Sequence, residues 1–334
     1  MKLESLVVAL TLSATGCAVN TSNLSVHNAP VAAVDRKYDS VDNNINPEDL
    51  PKLKDASYMI ISESKYKDPK GETVTLHSLG TAVIYKDVGN KTYLATANHV
   101  VENEKVRYDL FGKKYELLSE KFYLLEDDEV DRLQGLLRKL SAVTQQQKFY
   151  VEDSYGNKKE SLNYILRTSN EMAVVLNVIK PKTIKTVAQN EAKDLAVISV
   201  PLLQHKPLPY SIGNAEELQV QNKVYKIGFP LGLLENVTDG HVTSVNDSRL
   251  VREDVETAFI SNAATSPGNS GGGVFAVRDG KLELVGITSA MYIGGNALNI
   301  DVKINGISDV FKGNSIRCSK GWKCNLSAPY ELKL

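Results

Sequence analysis

Short apolar stretches separated by turn residues run through most of this chain from about residue 56 onward. Val, Ile, Thr and Tyr dominate the stretches, which include SYMIIS, GTAVIY, TYLATA, MAVVLNVI, LAVISV, KVYKIGF, HVTSV, TAFIS, GGVFAV and LELVGITSAMYI. β-branched and aromatic residues favour strands, and the intervening Gly, Asn, Asp and Pro favour turns. The pattern therefore predicts an all-β fold of many short strands, arranged as a sandwich or a barrel.

One segment departs from this pattern. Between Glu126 and Gln147, the apolar residues recur at helical spacing: Val130, Leu133, Leu136, Leu137, Leu140 and Val143. This spacing predicts an amphipathic helix that interrupts the β domain. The helix is either a surface insertion that packs its apolar stripe on the β domain or an element that binds a partner or gates substrate access.

The overall charge excludes some partners. The formal net charge is -1, with 24% charged and 42% apolar residues, which is an ordinary globular composition. No long basic run is present in the sequence, so nucleic acid is not expected as a partner. No metal or organic cofactor is implied by the sequence.

The amino terminus has the layout of an export signal. Met1-Lys2 is followed by the apolar run Leu6–Leu12, which is too short for a transmembrane helix, and then by Ser-Ala-Thr-Gly before Cys17. This end of the signal resembles the lipobox of bacterial lipoproteins. The resemblance implies a signal peptide over residues 1–16 and lipidation of Cys17.

Residues 17–55 are then expected to form a lipidated, flexible tether, because they are rich in Asn, Asp, Ser and Pro and lack periodicity. The protein would lie at the periplasmic face of a bacterial membrane or at the cell surface. In a Gram-negative host, Ala18 after the cysteine favours the outer membrane. An ordinary cleaved signal, or a cytosolic protein with an apolar start, remains as an alternative.

Two further cysteines stand close together near the carboxyl terminus. Cys318 and Cys324 are separated by five residues that include a glycine. In an exported protein this spacing favours a disulfide that clips a tail of residues 318–334. A metal site is less favoured, because no further Cys or His nearby completes a set of four ligands.

The stretch TSPGNSGGGVF places a single serine, Ser270, among glycines. Glycine permits backbone conformations closed to other residues, so Gly268, Asn269 and Ser270 can direct their N–H groups into one small space. Such a group of N–H donors forms an oxyanion hole for acyl transfer. A serine hydroxyl is a weak nucleophile, so the chain must also supply a base and an acid that orients it.

The best candidates are His99 and Asp194. His99 follows the TYLATA stretch, at the end of a predicted strand, and Asp194 precedes the apolar strand LAVISV. A carboxylate at a strand entry can be buried and accept the imidazole N–H. Asp127 and Asp128 belong instead to the start of the predicted helix.

The segments TANHVV, KDLAVISV and SPGNSGGGVF occur in the order His, Asp, Ser. They resemble the chymotrypsin-like serine proteases, and within them the HtrA/Deg branch, over roughly residues 56–315. The resemblance implies two six-stranded β-barrels within residues 56–317. The first would span about 56–200, with a helical insertion at about 103–150, and the second about 205–317.

The same resemblance assigns roles to these residues. It makes His99 the general base, Asp194 its orienting acid and Ser270 the nucleophile, with an oxyanion hole at Gly268 and Ser270. The implied activity is that of a serine endopeptidase on protein or peptide substrates. The alternative is a protease-fold lipoprotein that binds or chaperones other proteins with a latent or inactive site. The PDZ domain common in this branch is not expected after Ser270.

The resemblance also predicts which residues form the specificity pocket. Ala264 would lie at its base, and Thr288, Ser289 and Ala290 would line its wall. None of these residues is acidic, so preference for Lys or Arg is not expected. Small or medium apolar side chains are the expected occupants.

Overall fold

The structure is a computed structural model, and it describes these parts of the chain: residues 38–40, 48–102, 105–108, 114–144, 150–152, 158–160, 162–230, 235–245, 257–291 and 298–312. The predicted signal peptide, the lipidation site Cys17 and the predicted disulfide cysteines Cys318 and Cys324 lie outside these ranges. No helix among the described residues has the length and apolar character needed to cross a membrane.

The first half of the protein is an antiparallel β structure. Its strands are β1 (Ser57–Lys67), β2 (Thr73–Val88), β3 (Lys91–Thr96), β4 (Val106–Tyr108), β5 (Lys114–Leu125), β6 (Tyr150–Glu152), β7 (Lys158–Glu160), β8 (Lys182–Thr183), β9 (Lys185–Asn190) and β10 (Leu195–Pro201). Eight of them form one sheet in the order β4-β5-β1-β2-β3-β10-β9, with β8 beside β5, and β6 pairs with β7. Since β4 and β9 do not pair within the described residues, this is a half-barrel. The predicted first barrel is thus observed as an open half-barrel among the described residues.

The second half of the protein closes into a barrel. Its strands are β11 (Tyr210–Ile212), β12 (Lys223–Gly228), β13 (Asn236–Ser244), β14 (Ala258–Ser261), β15 (Gly273–Arg278), β16 (Lys281–Met291) and β17 (Asn299–Lys303). The sheet order is β11-β16-β15-β12-β13-β14-β17, and β16 also pairs with β17. That last pairing closes the six strands from β12 to β17 into a barrel, as predicted, and β11 adds to β16 in parallel.

Helices occupy a small part of the fold: α1 (Asp49–Lys52), α2 (Asp127–Thr144), α3 (Leu162–Ile179) and α4 (Ile307–Lys312). The helix α2 lies where the apolar spacing predicted one. The helix α3 contains the stretch MAVVLNVI, which was predicted as a strand, so that prediction was wrong. A short continuous apolar run is compatible with both states, and the buried positions Met172, Val175, Leu176 and Ile179 reveal the helical spacing.

The two long helices pack on the first sheet. Their buried side chains share one cluster with the sheet: Met59, Ile61, Leu125, Val130, Leu133, Met172, Val175, Leu176, Ile179 and Phe229. Phe229 directly follows β12 and therefore belongs to the second half of the protein. The inserted helices thus bury an apolar stripe against the β domain and also contact a segment from its second half.

The folded domain begins before residue 56. Tyr38 is fully buried, and its ring lies 4.2 Å from the Arg278 guanidinium carbon. The Asp39 N–H donates to Val277 O over 2.8 Å, so this segment lies along the second barrel. Leu53 is also fully buried beyond α1. The predicted tether therefore does not extend to residue 55, because isolated apolar residues in a polar segment pack on the domain.

Candidate active site

Strand pairing brings His99 and Asp194 together. His99 lies in a 3-10 turn just after β3, and Asp194 ends the turn just before β10. The two strands are antiparallel, with Thr96 opposite Ala196. The end of one strand therefore lies beside the start of the other, although the two residues are 95 positions apart.

Direct hydrogen bonds hold this pair. His99 Nδ1 lies 2.9 Å from Asp194 Oδ2 and 3.0 Å from Oδ1. The His99 backbone N–H also donates to Oδ1 over 3.0 Å. The backbone of Asp194 is left-handed, with φ of +46°, a conformation that costs a non-glycine residue free energy. The carboxylate contacts with His99 offset this cost and fix the ring with Nδ1 toward the acid.

Ser289 also contacts the Asp194 carboxylate. Its hydroxyl donates to Asp194 Oδ2 over 2.5 Å. Burial raises the pKa of Asp194, but the hydrogen bonds from His99 and Ser289 outweigh burial and hold the pKa below its ordinary value. The sequence placed Ser289 only in the pocket wall. Its contact with Asp194 has no local sequence signal, because the partners are far apart in the chain.

Ser270 lies in the turn before β15, in the second barrel. Gly271 in this turn has φ of +87°, and a Cβ there would lie 2.0 Å from Thr81 O and 2.2 Å from Thr96 Oγ1. Only glycine fits this position, because a side chain would collide with the first sheet. The glycines around the serine therefore allow the turn to approach the half-barrel that carries His99.

Among the described residues, two backbone N–H groups of this turn have no acceptor. The Asn269 N–H donates to Ser266 O over 3.0 Å, and the Gly271 N–H donates to Thr288 O over 2.7 Å. Within the described part of the chain, the N–H groups of Gly268 and Ser270 donate no hydrogen bond. They can serve a developing oxyanion, whereas Asn269 cannot, because its N–H is used inside the turn. The inclusion of Asn269 in the predicted hole was wrong.

Thr81 in β2 connects the turn to the first sheet, and sequence reasoning missed it. Its N–H donates to Ser270 O over 2.8 Å, and its hydroxyl donates to Gly268 O over 2.8 Å. The same hydroxyl accepts the Phe229 N–H over 3.2 Å. Thr81 thereby fixes the backbone on both sides of Asn269. The small polar residue in GTAVIY gives no indication of this role.

The side chain of Ser270 points away from His99. The Ser270 hydroxyl donates to Ser289 O over 3.3 Å, and the described residues contain no hydrogen bond between it and the imidazole. About half of the His99 side chain is exposed to solvent. Catalytic hydrogen bonds are often incomplete without substrate, so this geometry is compatible with an active site that completes on binding.

The predicted pocket residues flank the turn. Thr288 and Ser289 contact it through their carbonyl groups, and Ala290 follows them at the surface. Ala264 is exposed, and its carbonyl accepts the Thr238 hydroxyl over 2.8 Å. In the described ranges, no group of three or more His, Cys, Asp or Glu residues could hold a metal ion.

The arrangement suits acyl transfer. One half of the protein supplies an imidazole oriented by a carboxylate, and the other supplies a hydroxyl with two N–H donors beside it. A family model described as a trypsin-like peptidase domain matches residues 80–287, which is more than half of the chain. The chain belongs to this family of trypsin-like peptidase domains.

Curated relatives are similar to the chain over part of its length. A probable periplasmic serine endoprotease DegP-like from Halomonas elongata is 32% identical over 167 residues, covering 48% of this chain and 33% of the relative. Protease Do-like 1, chloroplastic, from Arabidopsis thaliana is 29% identical over 132 residues, covering 39% and 29%. The chain thus spans about a third of the length of these relatives.

A solved structure supports the fold. The HtrA-type protease AlgWS227A with a decapeptide aligns with a TM-score of 0.50 and 16% identity, covering 79% of this chain and 65% of that chain. This likeness and the observed sheets identify the chymotrypsin-like double-barrel fold, here with one half-barrel and one closed barrel.

Proposed function

We propose that the protein is a serine endopeptidase in which His99, Asp194 and Ser270 form the catalytic triad. The observation that carries the proposal is the partly buried Asp194 carboxylate paired with His99. It lies opposite a glycine turn that presents Ser270 and two N–H groups that donate no hydrogen bond within the described residues. Family membership and the similarity to DegP-like endoproteases support the same activity.

The reaction begins when the Ser270 hydroxyl rotates from Ser289 O toward His99 Nε2. The oxygen attacks the carbonyl carbon of the substrate while Nε2 takes its proton, and Asp194 stabilises the resulting imidazolium through Nδ1–H. The negative charge on the carbonyl oxygen is stabilised by the N–H groups of Gly268 and Ser270.

Collapse of this tetrahedral intermediate breaks the peptide bond. His99 gives its proton to the leaving amine, and the acyl group remains as an ester on Ser270. Water then attacks the ester, with His99 again taking the proton. The second intermediate releases the carboxylic acid and returns the proton to Ser270.

The protein is proposed to act outside the cytoplasm on proteins or peptides. The printed names of several relatives describe periplasmic endoproteases, and the amino-terminal sequence has an export signal. We propose that Cys17 carries the lipid anchor and that Cys318 and Cys324 form a disulfide. Fatty-acid incorporation that is lost in Cys17→Ser would support the anchor, and incorporation that persists in this variant would contradict it.

The activity is tested by labelling the full chain, solubilised in mild detergent, with a fluorophosphonate probe that reacts with activated serines. We expect labelling of the unmodified protein and of Ser211→Ala, a control on the exposed edge strand β11. Labelling should be lost in Ser270→Ala and reduced at least a hundredfold in His99→Ala. Labelling that survives in Ser270→Ala would contradict the assignment.

A second candidate is a binding protein with a latent site. The observation that favours it is the Ser270 hydroxyl directed to Ser289 O instead of His99. Absence of labelling in the folded protein, both with and without added peptides, would support this candidate and reject constitutive proteolysis.

A further inference from the structure

Phe229 joins the inserted helices to the second half of the protein. It directly follows β12, and its side chain is 1% exposed. The ring lies in the apolar cluster that α2 and α3 form on the first sheet, and most members of this cluster belong to the two helices. The proposed catalytic steps use neither the helices nor Phe229. Their contacts nevertheless lead to the catalytic turn.

The backbone of Phe229 is connected to this turn through Thr81. The Phe229 N–H donates to the Thr81 hydroxyl over 3.2 Å. That hydroxyl donates to Gly268 O over 2.8 Å, and the Thr81 N–H donates to Ser270 O, also over 2.8 Å. Two hydrogen bonds in series therefore connect the residue that the helices bury to the turn that carries the nucleophile.

Thr81 itself borders the apolar cluster. In the pairing of β1 with β2 it lies opposite Met59, which is a member of the cluster. Leu79, two positions before Thr81, also packs against the cluster. Side chains that lie opposite each other, or two positions apart in one strand, point to the same face of a sheet. The hydroxyl that holds the turn is thus on the face that the helices cover.

The end of β12 also packs directly on the turn. A Cβ at Gly228 would lie 2.9 Å from Asn269 Oδ1 and 3.0 Å from Asn269 Cα. A Cβ at Gly272 would lie 2.0 Å from Ile227 O. The strand end and the turn therefore touch with no space for a side chain between them. Because such packing transmits strain, a displacement of Phe229 and Gly228 would displace Asn269.

These contacts fix the peptide units on both sides of the Ser270 N–H. This N–H belongs to the planar unit that joins Asn269 to Ser270. The unit before it carries Gly268 O, the unit after it carries Ser270 O, and Thr81 donates to both oxygens. With both neighbouring units held, the Ser270 N–H stays directed toward a developing oxyanion. A donor that turned away would stabilise the transition state less.

We propose that Phe229 is a positioning residue through which α2 and α3 hold the catalytic turn in its active geometry. The helices fix the Phe229 side chain, the Phe229 N–H fixes the Thr81 hydroxyl, and Thr81 fixes the turn. The inference rests on the proposed endopeptidase function. It gives the inserted helices a part in catalysis from behind the turn, distinct from gating of substrate access.

The first experiment removes the Phe229 ring. The full chain in mild detergent is labelled with the fluorophosphonate probe, and both the rate constant and the final labelled fraction are measured. We expect the rate constant of Phe229→Ala to fall on the order of ten- to a hundredfold, because the oxyanion donors are less well placed. The final fraction should not change. A variant that is only partly unfolded would instead be labelled at the ordinary rate constant to a smaller final fraction.

Two controls accompany this variant. Phe229→Met keeps an apolar side chain of similar length in the cluster and should retain most of the rate constant. Phe122 in β5 is buried in a different cluster, on the opposite face of the same sheet from Tyr123. Phe122→Ala should therefore lower stability without lowering the rate constant.

The second experiment changes the Thr81 hydroxyl. Thr81→Val removes it at nearly constant volume and should slow labelling, whereas Thr81→Ser keeps it and should restore the rate constant. The matched control is Thr92 in β3, which is also fully buried. Its hydroxyl likewise donates one hydrogen bond, to Asp87 Oδ1, and accepts one, from the Leu203 N–H. Thr92→Val should be labelled at the ordinary rate constant.

The third experiment acts from the helices. Leu176 in α3 is buried in the cluster, whereas Val178 in the same helix is 55% exposed. We expect Leu176→Ala to lower the rate constant by about two- to thirtyfold, the range expected for coupling through packed side chains. Val178→Ala should leave the rate constant unchanged.

The outcomes separate the two proposals. If the unmodified protein is labelled at Ser270 and Phe229→Ala reacts at the same rate constant, the inference is overturned and the proposed function stands. An ordinary rate constant in Thr81→Val or in Leu176→Ala overturns it as well. If Phe229→Ala does not fold, these two variants decide. If the unmodified protein is not labelled, both proposals fail.

Discussion

The Asp194 carboxylate is the most constrained side chain of the site. It is partly buried, its backbone is left-handed, and it accepts hydrogen bonds from His99 and Ser289. Both hydrogen bonds favour the ionised carboxylate. The proposed mechanism needs this ionised form to stabilise the imidazolium. The sequence predicted Asp194 and His99 from their places at strand ends, but Ser289 and Thr81 act through partners distant in the chain.

Ser289→Ala removes one hydrogen bond to this carboxylate. A bond to a charged group contributes about 1.5–3 kcal/mol, so we expect kcat/KM to fall about 10- to 100-fold without loss of the fold. Peptide hydrolysis and thermal unfolding measure the two effects. Ser78→Ala, which removes a hydroxyl–hydroxyl bond of 3.1 Å to Ser62, is the control. Equal activity of the two variants would reject a positioning role for Ser289.

Glu235 gives a pH prediction. Burial raises its pKa to about 8, and its carboxyl group accepts a hydrogen bond from the Ser57 hydroxyl. The pKa is higher in the folded than in the unfolded state. The folded protein therefore favours the protonated acid, and this stabilisation is complete below the unfolded pKa of about 4.5 and is lost as the pH rises through about 8.

We expect the free energy of unfolding to fall over this pH window in the unmodified protein and to fall less in Glu235→Gln. Denaturant unfolding at several pH values measures both slopes. Glu72→Gln, at an exposed position in the turn between β1 and β2, is the control. A slope in Glu235→Gln equal to that of the unmodified protein would contradict a buried neutral acid.

At the scale of elements, the inserted helices act as a second layer on the first sheet. The sequence predicted α2 because its apolar residues recur at helical spacing with polar residues between them. It did not predict α3, since its apolar run lacks the polar interruptions that distinguish a helix from a strand. Short apolar stretches bounded by turn residues predicted most strands. They did not reveal that the first sheet has eight strands and an open edge among the described residues.

The packing of α3 is tested by two substitutions on opposite faces. Leu176 is buried in the cluster with Phe229, whereas Val178 is largely exposed. Leu176→Ala should lower the free energy of unfolding by about 2–5 kcal/mol, because it leaves a cavity. Val178→Ala should change it by less than about 0.5 kcal/mol. If urea unfolding shows that both variants lose similar amounts of unfolding free energy, α3 does not pack in this orientation.

At the scale of the whole molecule, Tyr38 attaches the amino-terminal segment to the second barrel. Its hydroxyl donates to Glu283 Oε2 over 2.9 Å and accepts the Asn214 N–H over 3.0 Å. A single tyrosine in a polar segment has no periodic neighbours, so the sequence indicated a tether there. The position of Tyr38 depends on a surface formed by residues far away in the chain, including Asn214, Arg278 and Glu283.

Tyr38→Phe should lower the free energy of unfolding by about 1–3 kcal/mol, because buried polar groups lose their partner. Tyr38→Ala should lower it further, by about 3–5 kcal/mol in total, since the ring is lost as well. Thermal or urea unfolding of the full chain measures both. An unchanged midpoint for Tyr38→Ala would mean that the segment is not part of the folded domain in solution.

The division of the site between the two halves has a practical consequence. The imidazole and its acid belong to the half-barrel, whereas the hydroxyl and the N–H donors belong to the closed barrel, and Thr81 holds the turn across the boundary. The proposed mechanism needs groups from both halves. Two separate polypeptides, divided in the connection between β10 and β11, would therefore regain hydrolysis only by associating. Such a pair could serve as a split reporter whose signal measures the proximity of any two proteins fused to it.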